Sequence, residues 1–185
     1  MRMSLTAHRF TVAEYHRMGE AGVFHEDDRV ELIDGQVVEM TPIGPGHGSC
    51  VNRLTELFAP LVGRATLSVQ NPLGLGEHQE PQPDFAVLRY RPDGYRAQHP
   101  QSADVLLVIE VGDRSANSDR NTKIPLYALA GIPEAWLVNL PGDGIETYRR
   151  PVGGRYADVE TVRRGGTLAP LAFPSLQSSA DRILG

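Results

Sequence analysis

A run of branched apolar residues, Val105-Leu106-Leu107-Val108-Ile109, ends on a carboxylate, Glu110. A run this short and this rich in β-branched side chains suits a strand covered on both faces, which needs other layers of structure above and below it. A polar loop, Gly112 to Ser118, leads from the strand into a helical segment from about Asp119 to Ala130. That segment carries Lys123 and, one turn later, Tyr127. An acid at the end of a buried strand and a lysine on the next helix can meet at one point. Pro125 would cost up to ~3 kcal/mol beyond the first turn of a helix. The regular helix is therefore expected to begin near Lys123, after an irregular turn.

The remaining chain supplies the layers. Thr11-Val12-Ala13-Glu14 has the capping-box spacing, and the helix it starts should stop at Gly19–Gly22. An acidic loop, Glu26-Asp27-Asp28, follows. Val30 to Ile33 and Gln36 to Met40 flank Asp34-Gly35, which predicts an antiparallel hairpin with a type I′ turn. Val51, Leu54, Leu57, Phe58 and Leu61 recur at helical spacing, so a helix is expected from His47 to about Val62, kinked or ended by Pro60. Strands are predicted at Thr66–Gln70, Leu73–Gly76, Asp84–Leu88, Ala135–Leu140, Ile145–Arg150 and Tyr156–Val162, with a loop at Tyr90–Ser102 and a terminal helix at Ser178–Leu184. Strands interspersed with helices, and no linker long enough to divide them, give a single domain over residues 1–185 that opens on an N-terminal helix plus hairpin.

With 185 residues and one cysteine, Cys50, an intrachain disulfide and a multi-cysteine metal site are both excluded. The apolar runs fall far short of the ~20 residues of a membrane span, and Met1 to Thr6 lacks the apolar core of a secretory signal. A cytoplasmic protein is expected, without a membrane partner. The net charge of −5 argues against a broad nucleic-acid-binding surface but not against a local basic groove. Two arginine clusters, Arg89/Arg91/Arg96 and Arg149/Arg150/Arg155/Arg163/Arg164, are read first as solvated loop and edge-strand charge.

Asp84 at the start of one strand and Glu110 at the end of another, with a lysine nearby, form a recurrent answer to phosphodiester hydrolysis. Hard cations such as Mg²⁺ take carboxylates together with phosphate oxygens and water. Without a cation, clustered carboxylates raise one another's pKa. Each residue also has a plainer reading. Asp84 suits a turn cap after Pro83, and Glu110 suits a salt bridge with Arg114 or Lys123. Lys123 suits a solvated helix face, Glu31 an exposed cross-strand position, and His47 a helix-terminal packing role.

The combination of Val30-Glu31-Leu32-Ile33-Asp34-Gly35, Gly46-His47-Gly48, Pro83-Asp84, Val108-Ile109-Glu110-Val111, Lys123 with Tyr127, and Ala130-Gly131-Ile132-Pro133-Glu134-Ala135-Trp136-Leu137-Val138 resembles the Uma2 family (DUF820) of the PD-(D/E)xK, restriction-endonuclease-like nucleases. The resemblance implies an α/β fold, a restriction-endonuclease-like core with a mixed sheet and flanking helices, and a metal-dependent endonuclease acting on DNA, with Mg²⁺ or Mn²⁺ as cofactor. It implies Asp84 and Glu110 as metal ligands, helped by the backbone carbonyl of Val111. It also implies Glu31 as an upstream acid and Lys123 as the lysine, with His47 and Tyr127 as accessory residues. The position two after the acid, where the superfamily motif has its lysine, is Gly112 here. A homodimer would suit a two-stranded substrate. The alternative is a nucleic-acid-binding or regulatory protein that keeps the fold without efficient cleavage. A third, weaker reading is a hydrolase of RNA or small phosphoesters.

Overall fold

The computed structural model describes residues 6–25 and 27–185. Glu26 of the expected acidic loop, and Met1 to Leu5 of the N-terminal stretch, lie outside the described residues. Helix α1 (Val12–Glu20) opens on the expected capping box: the Thr11 N–H donates to Glu14 Oε2 at 2.8 Å, and the Glu14 N–H donates to Thr11 Oγ1 at 3.2 Å. Strands β1 (Val30–Ile33) and β2 (Gln36–Glu39) pair antiparallel. Positive φ at both Asp34 (50°) and Gly35 (71°) is the type I′ geometry that the dipeptide predicts.

Helix α2 (Pro45–Phe58) starts two residues before His47 because Pro45 occupies its first turn, where the missing N–H costs nothing. It ends at Phe58, and Pro60 falls in a separate 3₁₀ turn, Ala59–Leu61, so the helix does not reach Val62. A six-stranded sheet follows, built from β3 (Ala65–Val69), β4 (Phe85–Arg89), β5 (Val105–Gly112), β6 (Glu134–Asn139), β7 (Gly144–Val152) and β8 (Arg155–Arg163), in that spatial order. All neighbours are antiparallel except β5 and β6. That parallel pair needs a crossover, and helices α3 (Ala116–Asn121) and α4 (Lys123–Leu129) supply it. Two-residue strands β9 (Thr167–Leu168) and β10 (Ser178–Ser179) pair ahead of α5 (Ala180–Leu184). No helix among the described residues is long and apolar enough to cross a membrane.

Three expectations need correction. Leu73–Gly76 is not a strand; it makes isolated bridges only, at Gly74 to Gln101 and Gly76 to Gln79. Its backbone is spent on distant partners, with the Leu73 N–H on Pro81 O at 2.9 Å and the Gly74 N–H on Pro100 O at 2.9 Å. Strand β5 runs two residues past Glu110, because β6 continues the ladder to Gly112 opposite Asn139. The segment expected to begin near Asp119 is two helices that break at Thr122 (φ −115°, ψ −63°), and the first begins at Ala116. The regular helix does begin at Lys123, and Pro125 sits in its first turn, where no backbone donor is needed. A Schellman motif ends α4: the Ile132 N–H reaches Tyr127 O and the Gly131 N–H reaches Ala128 O.

The sheet is covered on both faces. Phe85, Val87, Leu107, Ile109, Val111, Trp136 and Val138 pack under α2 and α5. Ala86, Val108, Ala135 and Leu137 pack on Ile124, Tyr127 and Ala128 of α4. Alternation along β5 then places Glu110 on the same side as Val108, toward α4. Half of the clustered arginines are tied to nearby acids: Arg91 to Asp93, Arg150 to Asp158, Arg164 to Asp143 and Asp181, and Arg149 to the buried Glu134.

Candidate active site

Two buried prolines, Pro81 and Pro83, hold the approach to β4, and Asp84 stands immediately before that strand. Its Oδ2 accepts the Val111 N–H at 2.8 Å. Its Oδ1 lies 2.9 Å from His47 Nε2 and accepts from Gln70 Nε2 at 3.3 Å. Burial pushes this carboxyl up, but His47, the Val111 N–H and Lys123 together hold it below the usual range. In an extended strand the N–H and C=O of one residue leave on the same side, so the Val111 carbonyl also faces the Asp84 side of β5.

Glu110 is 2% exposed. Its Oε1 accepts the Tyr127 hydroxyl and lies 3.5 Å from Lys123 Nζ. Lys123 and Tyr127 are four residues apart on α4, so both side chains come off one face and reach the same carboxylate. Lys123 Nζ also lies 3.0 Å from Glu31 Oε2, and that oxygen accepts the Gln82 N–H at 3.0 Å. Glu31 and Lys123 are buried, so neither the exposed cross-strand reading nor the solvated-helix reading describes them. Of the two cations offered for Glu110, Lys123 makes the contact; Arg114 is exposed and lines the cleft instead.

The charges work against one another in an informative way. Burial drives the Glu110 carboxyl well above its ordinary pKa; Lys123 opposes the rise, and Asp84 and Asp119 add to it. Burial disfavours the Lys123 ammonium, yet Glu110, Glu31 and Asp119 together raise its pKa above that of a free lysine. Tyr127 is held protonated, first by burial and then by the charge of Glu110.

Asp119 is the residue that sequence reasoning missed. It is buried, its Oδ2 accepts from Ser115 Oγ at 2.6 Å, and it lines the same cleft. Burial raises its pKa, and Asp84 and Glu31 add to the rise. The signal was present in its spacing, four residues before Lys123 in a segment already read as helical.

Position 112, two residues after Glu110, has no room for a lysine or any other side chain. A Cβ built there would stand 2.5 Å from Ala116 Cα and 2.8 Å from its backbone nitrogen, because α3 begins directly against the strand end. No side chain fits without moving a helix. Gly112→Ala is expected to lower stability by about 1–3 kcal/mol, the usual cost of overpacking. Chemical denaturation would test this, and an unchanged midpoint would show that α3 yields freely.

The cleft has a volume of about 880 Å³ and is lined by Glu31, His47, Asp84, Glu110, Asp119 and Lys123, with Arg29 and Arg114 also on its wall. Four carboxylates face one lysine, and among the described residues no second lysine or arginine pairs with them. An all-oxygen set with surplus negative charge suits a hard divalent cation of the Mg²⁺ or Mn²⁺ type. His47 Nδ1 is buried and has no hydrogen-bond partner, so the imidazole contributes through Nε2 alone.

No curated protein matches this chain. Its fold is similar to that of a crystal structure described as "a putative nuclease belonging to DUF820" from Anabaena variabilis. The TM-score is 0.76 at 17% identity, covering 95% of this chain and 97% of that one. At that identity the likeness is one of fold. The model of the Uma2 family, described as "Putative restriction endonuclease", matches residues 12–181, nearly the whole chain. On that match the chain belongs to the Uma2 family.

Proposed function

We propose that this protein is a metal-dependent endonuclease that hydrolyses DNA phosphodiester bonds. Asp84, Glu110 and the Val111 carbonyl would hold Mg²⁺ or Mn²⁺, and Glu31 would assist directly or through water. The observation that carries this reading is the convergence of Glu31, Asp84, Glu110, Asp119 and Lys123, from five separate segments of the chain, on one cleft. A bound divalent cation would lower the pKa of a water and neutralise charge on the phosphoryl oxygens.

The protein's own groups divide the remaining work. Lys123 stays protonated, so it acts as a hydrogen-bond donor and fixed positive charge beside the attacked phosphate, and not as the base. His47 and the Val111 N–H orient Asp84 and keep it ionised. Tyr127 orients Glu110. Arg29 and Arg114 give the cleft wall positive charge that a phosphate backbone can use. A homodimer would present two such clefts to the two strands of a duplex.

Plasmid cleavage with Mg²⁺ and with Mn²⁺, beside calorimetric metal binding, tests the reading. Asp84→Asn is expected to keep its circular dichroism but lose about 100-fold or more of its cleavage rate, at or beyond the upper range for residues that merely support metal ligands. Cleavage that survives chelation, or that Asp84→Asn leaves intact, would remove the metal site from the mechanism. Metal binding without cleavage would favour a nucleic-acid-binding or regulatory protein that keeps the fold.

A further inference from the structure

A second cluster lies outside the cleft. His16 on α1, Glu80 in the extended segment ahead of Asp84, and His99 in the loop before β5 each offer a ligand atom within 4.8 Å of the other two. His16 Nε2 is 2.7 Å from Glu80 Oε1. The two imidazoles meet edge to face, with ring centroids 6.1 Å apart. Glu80 is 4% exposed and clamped through its backbone: its N–H donates to Leu32 O at 2.8 Å, and its carbonyl accepts the Leu32 N–H at 3.3 Å.

Among the described residues no lysine or arginine pairs with Glu80, and its one cationic partner is His16, which is charged only when protonated. A buried carboxylate without a permanent counter-charge is unfavourable. The nearby Tyr15 registers the same negative field, its pKa raised by burial and then by Glu80 and Glu31. A divalent cation would supply the missing charge. Two imidazoles and one carboxylate are the donors of a borderline transition metal, unlike the all-oxygen set of the cleft.

We propose that His16, Glu80 and His99 bind one Zn²⁺-type cation, with water in the fourth position. In a tetrahedral zinc site the donor atoms stand ~3.3 Å apart, given metal–ligand distances of about 2.0–2.1 Å. The buried Glu80 is the fixed point, and both histidines are exposed and free to turn toward the metal. The cation would tie α1 and the 90–102 loop to the segment that positions Glu31 and Asp84. Its role is structural, and it is independent of whether the cleft cleaves DNA.

The full chain, stripped with chelator and titrated with Co²⁺ as a spectroscopic stand-in for Zn²⁺, tests the proposal. The expected result is the intense visible absorption of low-coordinate Co²⁺, saturating near about one equivalent and not displaced by excess Mg²⁺. Zn²⁺ should also raise Tm. His16→Ala and His99→Ala, both at exposed positions, should each weaken binding by about tenfold or more. The double variant Asp84→Asn/Glu110→Gln should leave the spectrum unchanged. Absorption that survives both histidine replacements, or that disappears in the double variant, would assign the metal elsewhere and overturn the proposal. Absence of saturable binding would do the same, leaving the nuclease reading untouched.

Discussion

Lys123→Met should lower the stability of the metal-free protein by about 3–5 kcal/mol, the range for removing one partner of a buried ion pair. Lys123 is 8% exposed, and its ammonium lies between Glu110 and Glu31, with Asp119 also in its field. Methionine fills similar volume, so the loss would be one of charge and not of packing. The stranded carboxylates would respond by taking up protons, so the deficit should widen as pH rises. Urea denaturation in chelator at two pH values measures it. A variant within about 0.5 kcal/mol of the native protein, a shift typical of surface positions, would mean that Lys123 neutralises nothing. Cleavage should fall by about 10²–10³-fold, as when one preorganised donor to a transition state is removed.

Glu110→Gln should produce the opposite effect on stability. The folded-state pKa of Glu110 lies well above its ordinary value of 4.5, chiefly through burial. Between the ordinary carboxylate range and that raised value, the native protein therefore holds a proton that the unfolded chain has released. The stability from that proton is complete below the ordinary carboxylate range and is lost as pH rises through the elevated folded value. Glutamine keeps the shape, removes this dependence, and leaves Lys123 its contact with Glu31. In chelator the variant should be the more stable protein at neutral and alkaline pH, with a flatter profile of Tm against pH. Saturating Mg²⁺ should reverse the order, because only the native protein gains free energy from binding. A Glu110→Gln protein that melts below the native one across the whole pH range would show that the carboxylate is stabilising as it stands. Cleavage should be lost in either case.

What could be read from the sequence was local. The capping box, the Asp34-Gly35 turn and the apolar strand leading to Glu110 each carry their signal within a few residues, and all three stand in the structure. Leu73–Gly76 was misread because its hydrogen bonds go to Pro81 and Pro100, which no local pattern reveals. The Gly153-Gly154 turn, with φ of 59° and 77°, closes the β7–β8 hairpin by the same type I′ logic and went unread although the glycine pair was visible. Of the site, the acid and lysine of the β5–α4 unit were legible as neighbours. The inward turn of Glu31 was not, because burial of a hairpin residue is decided by what packs against it. Asp119 was overlooked because a carboxylate near a helix start already has an ordinary explanation in the helix dipole.

The segment Pro81-Gln82-Pro83 gives the cleft a built-in ruler. The backbone N–H of Gln82 holds Glu31, and Asp84 follows two residues later. Covalent links of about 3.3–3.6 Å per residue therefore set the interval between the grip on one acid and the other acid itself. Prolines on both sides of Gln82 fix φ, so the ruler has little give. Surface loops elsewhere can absorb an inserted residue, because loop closure costs little more as a loop grows. One residue gained or lost between Pro81 and Asp84 has no such outlet. It would shift one acid along the chain while the other stayed gripped, leaving the sheet intact and the two carboxylates out of step.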